Sequence, residues 1–124
     1  MNRLHELFNT KKEPLLSLYF TAGYPDLNST VDIAEAVEKA GADFIEIGFP
    51  YSDPLADGPV IQHSSLVSLQ NGMNLQLLFE QLKELRKRVT IPVLLMGYVN
   101  PVLQYGVKKF CDSCASVGVD GVIV

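Results

Sequence analysis

Ala40-Gly41-Ala42-Asp43-Phe44-Ile45-Glu46-Ile47 and Val117-Gly118-Val119-Asp120-Gly121-Val122-Ile123-Val124 carry one pattern: a helix-stopping glycine, a small or β-branched residue, an aspartate, then a strand-like run. A helix-to-strand joint used twice implies a repeating βα unit and a parallel sheet. The flanking segments agree. Upstream, residues 29–40 set Ile33, Ala34, Val37 and Ala40 on one helical face, closed by Gly41. Residues 15–21 form a short apolar run between Pro14 and Gly23-Tyr24-Pro25, which reads as a strand. The amphipathic stretch Met-Asn-Arg-Leu-His-Glu-Leu-Phe opens a helix over residues 2–11, with Leu4, Leu7 and Phe8 at helical spacing.

Between the two copies, residues 42–48 form the second strand and a loop rich in Pro, Gly and Asp follows over residues 49–59. Pro59 suits a helix start, where its missing N–H is not needed. That helix covers residues 61–70 and stops at Asn71-Gly72. Another starts after Asn74 with Leu75, Leu78, Leu82 and Leu85 as its buried stripe. Residues 91–98 read as the third strand, with Pro92 at its start. Residues 105–117 read as a helix closed by Gly118, and residues 120–124 begin a fourth strand.

Parallel strands joined by helix-length, right-handed crossovers close into a barrel or spread into an open doubly wound sheet. Side-chain parity favours the barrel. Leu16, Leu18 and Phe20, like Ile45 and Ile47, give one aliphatic face suited to helices. Ser17, Tyr19 and Thr21, with Phe44, Glu46 and Gly48, give a mixed face whose polar groups gather at the C-terminal ends. An open sheet covered on both sides would be apolar on both. The expected fold is therefore α/β, the N-terminal half of a parallel (β/α)8 TIM barrel: strands one to four, an N-terminal helix and the intervening helices, in one partial domain over residues 1–124 that stops at strand four.

The 124 residues are 48% hydrophobic with a net charge of −4. That suits one globular core and gives no basic stripe for nucleic acid. No apolar run approaches the ~20 residues of a membrane span, and the N-terminus lacks a signal-peptide core. The expected location is the cytoplasm, with neither nucleic acid nor membrane as partner. Cys111 and Cys114 form a CxxC inside a helical pattern, where they read as small apolar core residues rather than a redox pair. His5 and His63 stand apart from each other and from the cysteines, so no metal site is expected.

Glu46 carries the functional signal. It lies inside a strand on the interior face, where a carboxylate costs several kcal/mol to desolvate. Burial raises such a pKa, which suits a group that gives and takes a proton. The structural alternative is an ion pair, but no basic residue has interior parity in a strand. Catalytic groups of β/α barrels lie at strand C-terminal ends and in the following loops. The loop after Glu46 holds Asp53 and Asp57, although Asp57 beside Gly58-Pro59 also fits a helix cap.

The run Glu46-Ile47-Gly48-Phe49-Pro50-Tyr51-Ser52-Asp53-Pro54-Leu55-Ala56-Asp57-Gly58 resembles the signature of the tryptophan synthase α-subunit family. Thr21-Ala22-Gly23-Tyr24-Pro25-Asp26 resembles that family's loop after strand one, and Tyr98-Val99-Asn100-Pro101 its loop after strand three. The resemblance implies aldol cleavage of indole-3-glycerol phosphate to indole and glyceraldehyde 3-phosphate, a carbon–carbon lyase step of tryptophan biosynthesis. It gives Glu46 the acid/base role and Asp57 the hold on the indole N–H. It makes Tyr19 and Met96 walls of the indole pocket, with Tyr98 at the same mouth. It also implies docking on a β subunit in an α2β2 heterotetramer through Asp53, Pro54 and Asn100, with pyridoxal phosphate only on that subunit and no cofactor on this chain.

A complete barrel takes ~250 residues. The family's phosphate-holding loops after the last two strands, and its mobile loop after strand six, have no counterpart here. The chain alone is therefore expected to be inactive, and its unpaired edge strands invite self-association. The competing readings are another phosphate-sugar barrel enzyme, which lacks the Glu46–Asp57 motif, and a non-catalytic half-barrel module that binds itself or a β subunit.

Overall fold

The computed structural model describes residues 2–124, so Met1 of the expected N-terminal helix lies outside it. The helix itself, α1 (Arg3–Thr10), starts where the Asn2 side chain accepts the His5 backbone N–H. It is followed by β1 (Ser17–Thr21), α2 (Thr30–Lys39) and β2 (Phe44–Gly48). Next come α3 (Pro59–Gln70), α4 (Leu75–Leu82), the short α5 (Leu85–Arg88) and β3 (Val93–Met96). The chain continues through α6 (Val99–Tyr105), α7 (Val107–Val117) and β4 (Gly121–Ile123).

The strands form one parallel sheet in the order β1-β2-β3-β4. A doubly wound sheet reverses direction at a switch point; sequential order means the chain winds one way only, with its right-handed crossovers on one face. That face is buried: Ile45, Ile47, Val93 and Leu95 are fully covered, packed in one cluster with Leu78, Leu82 and Leu85. Phe79 and Phe49 each meet Phe110 edge-on at 5.5 and 5.9 Å between ring centroids, joining α4 and α7 to the sheet. The opposite face carries Tyr19, Thr21, Glu46, Gly48, Leu94, Met96, Gly121 and Ile123 in matching register.

The repeated aspartate has one job at both joints. Asp43 N–H donates to the Leu16 carbonyl at 2.8 Å while the Leu16 N–H donates to the Asp43 carboxylate at 2.8 Å. Asp120 repeats this with Val93, at 2.8 and 2.9 Å. Each aspartate thus pairs the start of its own strand with the start of the preceding neighbour. The remaining carboxylate oxygens hold α1: Lys11 pairs with Asp43 at 2.5 Å and Arg3 with Asp120 at 3.1 Å. Arg86 adds a 2.6 Å contact to Asp120 and donates to the carbonyls of Gly118, Val89 and Ile91. With Phe8 against Phe44, α1 straps the N-terminal ends of the strands.

The structure departs from the sequence reading in five places. The stripe ending at Leu85 belongs to two helices, broken at Lys83-Glu84, yet Leu85 keeps its buried position. The segment after strand three, expected from the family resemblance to be a loop, is helix α6. Its N-cap is Tyr98, so Pro101 falls in the first turn, where no intrahelical N–H bond is lost. Gly106, at φ 100°, then separates α6 from α7, so the helix expected from residue 105 begins at Val107. The aliphatic face of β1 is not covered as expected: Leu16 and Leu18 are exposed along that edge of the sheet. Of the two cysteines, Cys114 is in the core, its thiol pushed up to about 12 by burial, whereas Cys111 is on the surface.

Asp120 is sealed, with 2% of its side chain exposed, and removing it leaves Arg86 and the Val93 N–H unpaired. Asp120→Ala should cost about 3 kcal/mol, read as a lower urea midpoint, and Asp43→Ala clearly less. Equal losses would contradict this ranking. The Lys11 ammonium, then the Leu16 N–H, hold the Asp43 carboxyl below the usual range. Its contribution is therefore present above the ordinary aspartate pKa and lost as pH falls through the folded-state value. Asp43→Asn should flatten the acid limb of the stability–pH curve.

Candidate active site

Over the C-terminal ends of the strands lies a cavity of about 680 Å³, lined by Tyr19, Phe49, Ala56, Asp57, Ser65, Met96, Gly97, Tyr98, Val99, Ile123 and Val124. It brings together four of the residues singled out in the sequence: Tyr19, Met96, Tyr98 and Asp57. The fifth, Glu46, does not line the cavity but stands beside it, half-buried and paired in register with Tyr19 and Leu94. Among the described residues no ion pair and no hydrogen bond engages its carboxylate, so the structural alternative of a salt bridge is not realised.

Tyr19 explains the glycine at the end of β2. A Cβ at Gly48 would lie 2.0 Å from the Tyr19 hydroxyl oxygen. The phenol lies across the space that any larger residue would fill, which bends it over the strand end. Burial pushes its pKa above the ordinary phenol range; the neighbouring Thr21 opposes this, and the charges of Asp57 and Glu46 add to it. Tyr19 is thus the side chain that feels both carboxylates.

Asp57 is not a helix cap. The N-cap of α3 is Gly58, with Pro59 at the first position and no side-chain capping bond. The carboxylate instead accepts the Tyr98 hydroxyl at 3.2 Å, and that hydroxyl accepts the Ala56 N–H at 2.9 Å. Gln62 donates to the Asp57 carbonyl at 2.9 Å, fixing the loop from below. The Tyr98 ring lies 5.3 Å from that of Tyr51. The loops after β2 and β3 are therefore joined at one hydroxyl.

The sequence reading missed Ser65. Helix α3 buries Ser64, Ser65 and Ser68 rather than large apolar groups. Ser64 shares a 2.7 Å hydrogen bond with Thr21 and Ser68 donates to the Ala22 carbonyl, which seats the helix across the end of β1. Ser65 is left on the cavity wall. Three serines at helical spacing in a buried stripe were the available signal.

Asp53, Pro54 and Asn100 lie outside this cavity. Asp53 is exposed, and its carboxylate accepts the Ser52 hydroxyl; Asn100 is exposed at the start of α6 and lines a separate groove of about 760 Å³ with Tyr51, Ser52 and Leu103. Pro54 lines a smaller groove that shares Tyr51 and Ser52. His5 and His63 are both exposed, and the described residues contain no cluster of His, Cys, Asp and Glu fit to hold a metal. None of their helices is long and apolar enough to cross a membrane.

The family model of the tryptophan synthase alpha chain matches residues 5–124. The tryptophan synthase alpha chain of Phocaeicola vulgatus is 56% identical over 124 residues, covering 100% of this chain and 48% of that protein. That of Flavobacterium psychrophilum is also 56% identical, with 49% of its length covered. The crystal structure of tryptophan synthase subunit alpha from Legionella pneumophila superposes with a TM-score of 0.94 at 38% identity, over 100% of this chain and 49% of that one. Ligand-free tryptophan synthase from M. tuberculosis gives 0.90 at 32% identity, over 98% and 50%. The four-stranded sheet and its helices thus follow half of the parallel barrel of these structures, and the chain spans about half the length of the curated relatives it matches.

A spectrophotometric titration should show a tyrosinate step above the ordinary phenol range that Tyr19→Phe removes. Gly48→Ala should displace the ring and bring that step down. Because the folded-state value is the raised one, the contribution of Tyr19 to stability is complete below the ordinary phenol pKa and is lost as pH rises through the folded value.

Proposed function

This chain belongs to the tryptophan synthase alpha chain family, and from that premise we propose that it supplies the acid–base half of a lyase site that cleaves indole-3-glycerol phosphate to indole and glyceraldehyde 3-phosphate. The observation that carries the proposal is one cavity with Asp57 in its wall and Glu46 beside it, opposite the wall residue Tyr19 in the sheet register, with no cation paired to either carboxylate among the described residues. The retro-aldol step needs a proton delivered to the ring carbon that bears the side chain and a proton taken from the neighbouring hydroxyl. Glu46, on the strand, is the group for both transfers. The step also develops positive charge on the ring nitrogen. Asp57 accepts that N–H and stabilises the charge. Tyr19, Met96 and Tyr98 form the walls against which the ring lies.

The chemistry is acid–base throughout and calls for no cofactor on this chain; pyridoxal phosphate belongs to the β subunit of the proposed α2β2 assembly. Asp53, Pro54 and Asn100 form the docking face. Leu55, Val60, Val99 and Leu103, beside them in sequence, are exposed apolar residues consistent with a covered surface. The site of action is the cytoplasm. The remaining half of the barrel would bring the phosphate-holding loops, so the 124 residues form a partial domain.

Two assays test this. The isolated chain, given indole-3-glycerol phosphate, should release no indole; a rate near that of a complete α subunit would overturn the division of labour. In a product carrying the remaining strands, Glu46→Gln should lower kcat by about 10²–10⁴ with a small change in KM, and a variant of near-normal kcat would remove Glu46 from the reaction. The exposed Leu16, Leu18 and Val122 along the edges of β1 and β4 support self-association of the isolated chain. Light scattering should find a dimer or larger, and a clean monomer would refute it.

A further inference from the structure

Asp57 has a second feature, apart from its place in the cavity wall. Its Oδ2 is held by the Tyr98 hydroxyl at 3.2 Å, while no hydrogen bond or ion pair engages Oδ1 among the described residues. The same hydroxyl accepts the Ala56 N–H at 2.9 Å, so both of its hydrogen-bonding roles are spent on one corner of the loop after β2. The ring is fixed in turn. Tyr98 is the extended N-cap of α6, and its ring lies against Tyr51 at 5.3 Å. Among the described residues nothing else holds the carboxylate: Gln62 donates to the carbonyls of Asp57 and Pro54, and the Asp57 N–H bonds the Pro54 carbonyl within the turn.

We propose that Tyr98 is the positioning residue for Asp57, its hydroxyl holding one carboxylate oxygen so that the other is presented to the cavity as an acceptor for a ring N–H. This rests on the reading that Asp57 accepts the ligand's N–H. A carboxylate free to rotate spends part of its time turned to solvent; one oriented by a neutral O–H keeps its charge and its direction. An arginine or lysine in the same place would orient the group but neutralise the charge that a developing cation needs. The position therefore calls for a tyrosine, and phenylalanine would keep the wall while losing the hold. Tyr98 lines the cavity as well, so wall and hold must be separated by experiment.

Indole and indene are nearly equal in shape, and only indole has the N–H. Both are titrated into the chain, followed by the methyl signals of Met96 and Ile123 on the cavity wall. The unaltered protein should prefer indole. Tyr98→Phe should lower indole affinity about threefold to tenfold and leave indene affinity unchanged, which a general loss of wall or fold would not do. In an Asp57→Asn background, Tyr98→Phe should have no further effect on that preference. A Tyr98→Phe protein that keeps the full preference, or effects that simply add, overturns the proposal. Equal binding of the two rings by the unaltered protein, or binding of neither, overturns the reading of Asp57 and this proposal with it. Should Tyr98→Phe fail to fold, amide exchange in the unaltered protein decides. Ala56 is exposed, so its N–H should exchange slowly only if Tyr98 holds it, and exchange at the rate of a free loop overturns the proposal.

Discussion

The register of the sheet rests on a carboxylate that takes the N–H of the neighbouring strand. Parallel strands have no hairpin to fix how they pair, and a slip of one residue turns every side chain to the other face. Asp43 prevents the slip between β1 and β2 by a two-point contact with Leu16, and Asp120 prevents it between β3 and β4 by the same contact with Val93. From the first clamp, Tyr19 falls opposite Glu46 and Thr21 opposite Gly48. From the second, Met96 falls opposite Ile123. The residues that meet at the top of the sheet are set by polar contacts at its bottom, and α1 reinforces both clamps through Lys11 and Arg3. Fold and site are thus secured at opposite ends of the strands, so loops can vary at one end without loosening the other.

Much of this was legible in the sequence, for physical reasons that also mark where legibility ended. The repeated Gly-x-Asp joint showed as a pattern because local conformation demands it: a helix must stop and a strand must start. What the aspartate does there was not legible, because its partner is the N–H of a residue 27 positions away. Parity placed Glu46 on the concave face correctly, since alternation is a local property of strands. It also predicted a covered aliphatic face for β1, where Leu16 and Leu18 are exposed, because coverage depends on neighbours rather than on alternation. Pro101 shows a further limit. A proline marks the interior of a helix as forbidden but its first turn as permitted, and the sequence does not say which turn it occupies until the N-cap is located.

The same limit separates the parts of the site. Glu46 and Tyr19 sit on strands, and strand periodicity put both on the mixed face; Met96, also on a strand, came only from the family resemblance. Asp57 sits on a loop, and spacing alone left it between a helix cap and a ligand contact. The structure removes the cap reading, because Gly58 takes the cap position and Tyr98 holds the carboxylate. Ser65 could not be found by seeking chemistry at all: its signal is the absence of bulk, a helix that buries serines where leucines would be expected. Large side chains at those positions would push α3 away from the end of β1 and reshape the cavity wall.

Two aspartates four residues apart in one loop show how placement decides chemistry. Asp53 is exposed, its carboxylate accepting the hydroxyl of its neighbour Ser52. A carboxylate so placed is screened by water and acts weakly on anything bound in the cavity. Asp57 lines the cavity wall, and the group that holds it is a neutral phenol rather than a cation. Among the described residues no cation pairs with Glu46 or Asp57; Lys11 is with Asp43, Arg3 and Arg86 with Asp120, Arg88 with Asp32 and Glu35. In the proposed reaction a unit positive charge forms on the ring nitrogen. At about 4 Å and an effective dielectric constant near 20, one carboxylate stabilises such a charge by about 4 kcal/mol. That is roughly a thousandfold in rate when the charge exists only in the transition state. A lysine beside Asp57 would cancel most of this, whereas Glu46 becomes a second carboxylate near the new cation once it has delivered its proton. The scarcity of cations around the two carboxylates is therefore as much a part of the site as the carboxylates themselves.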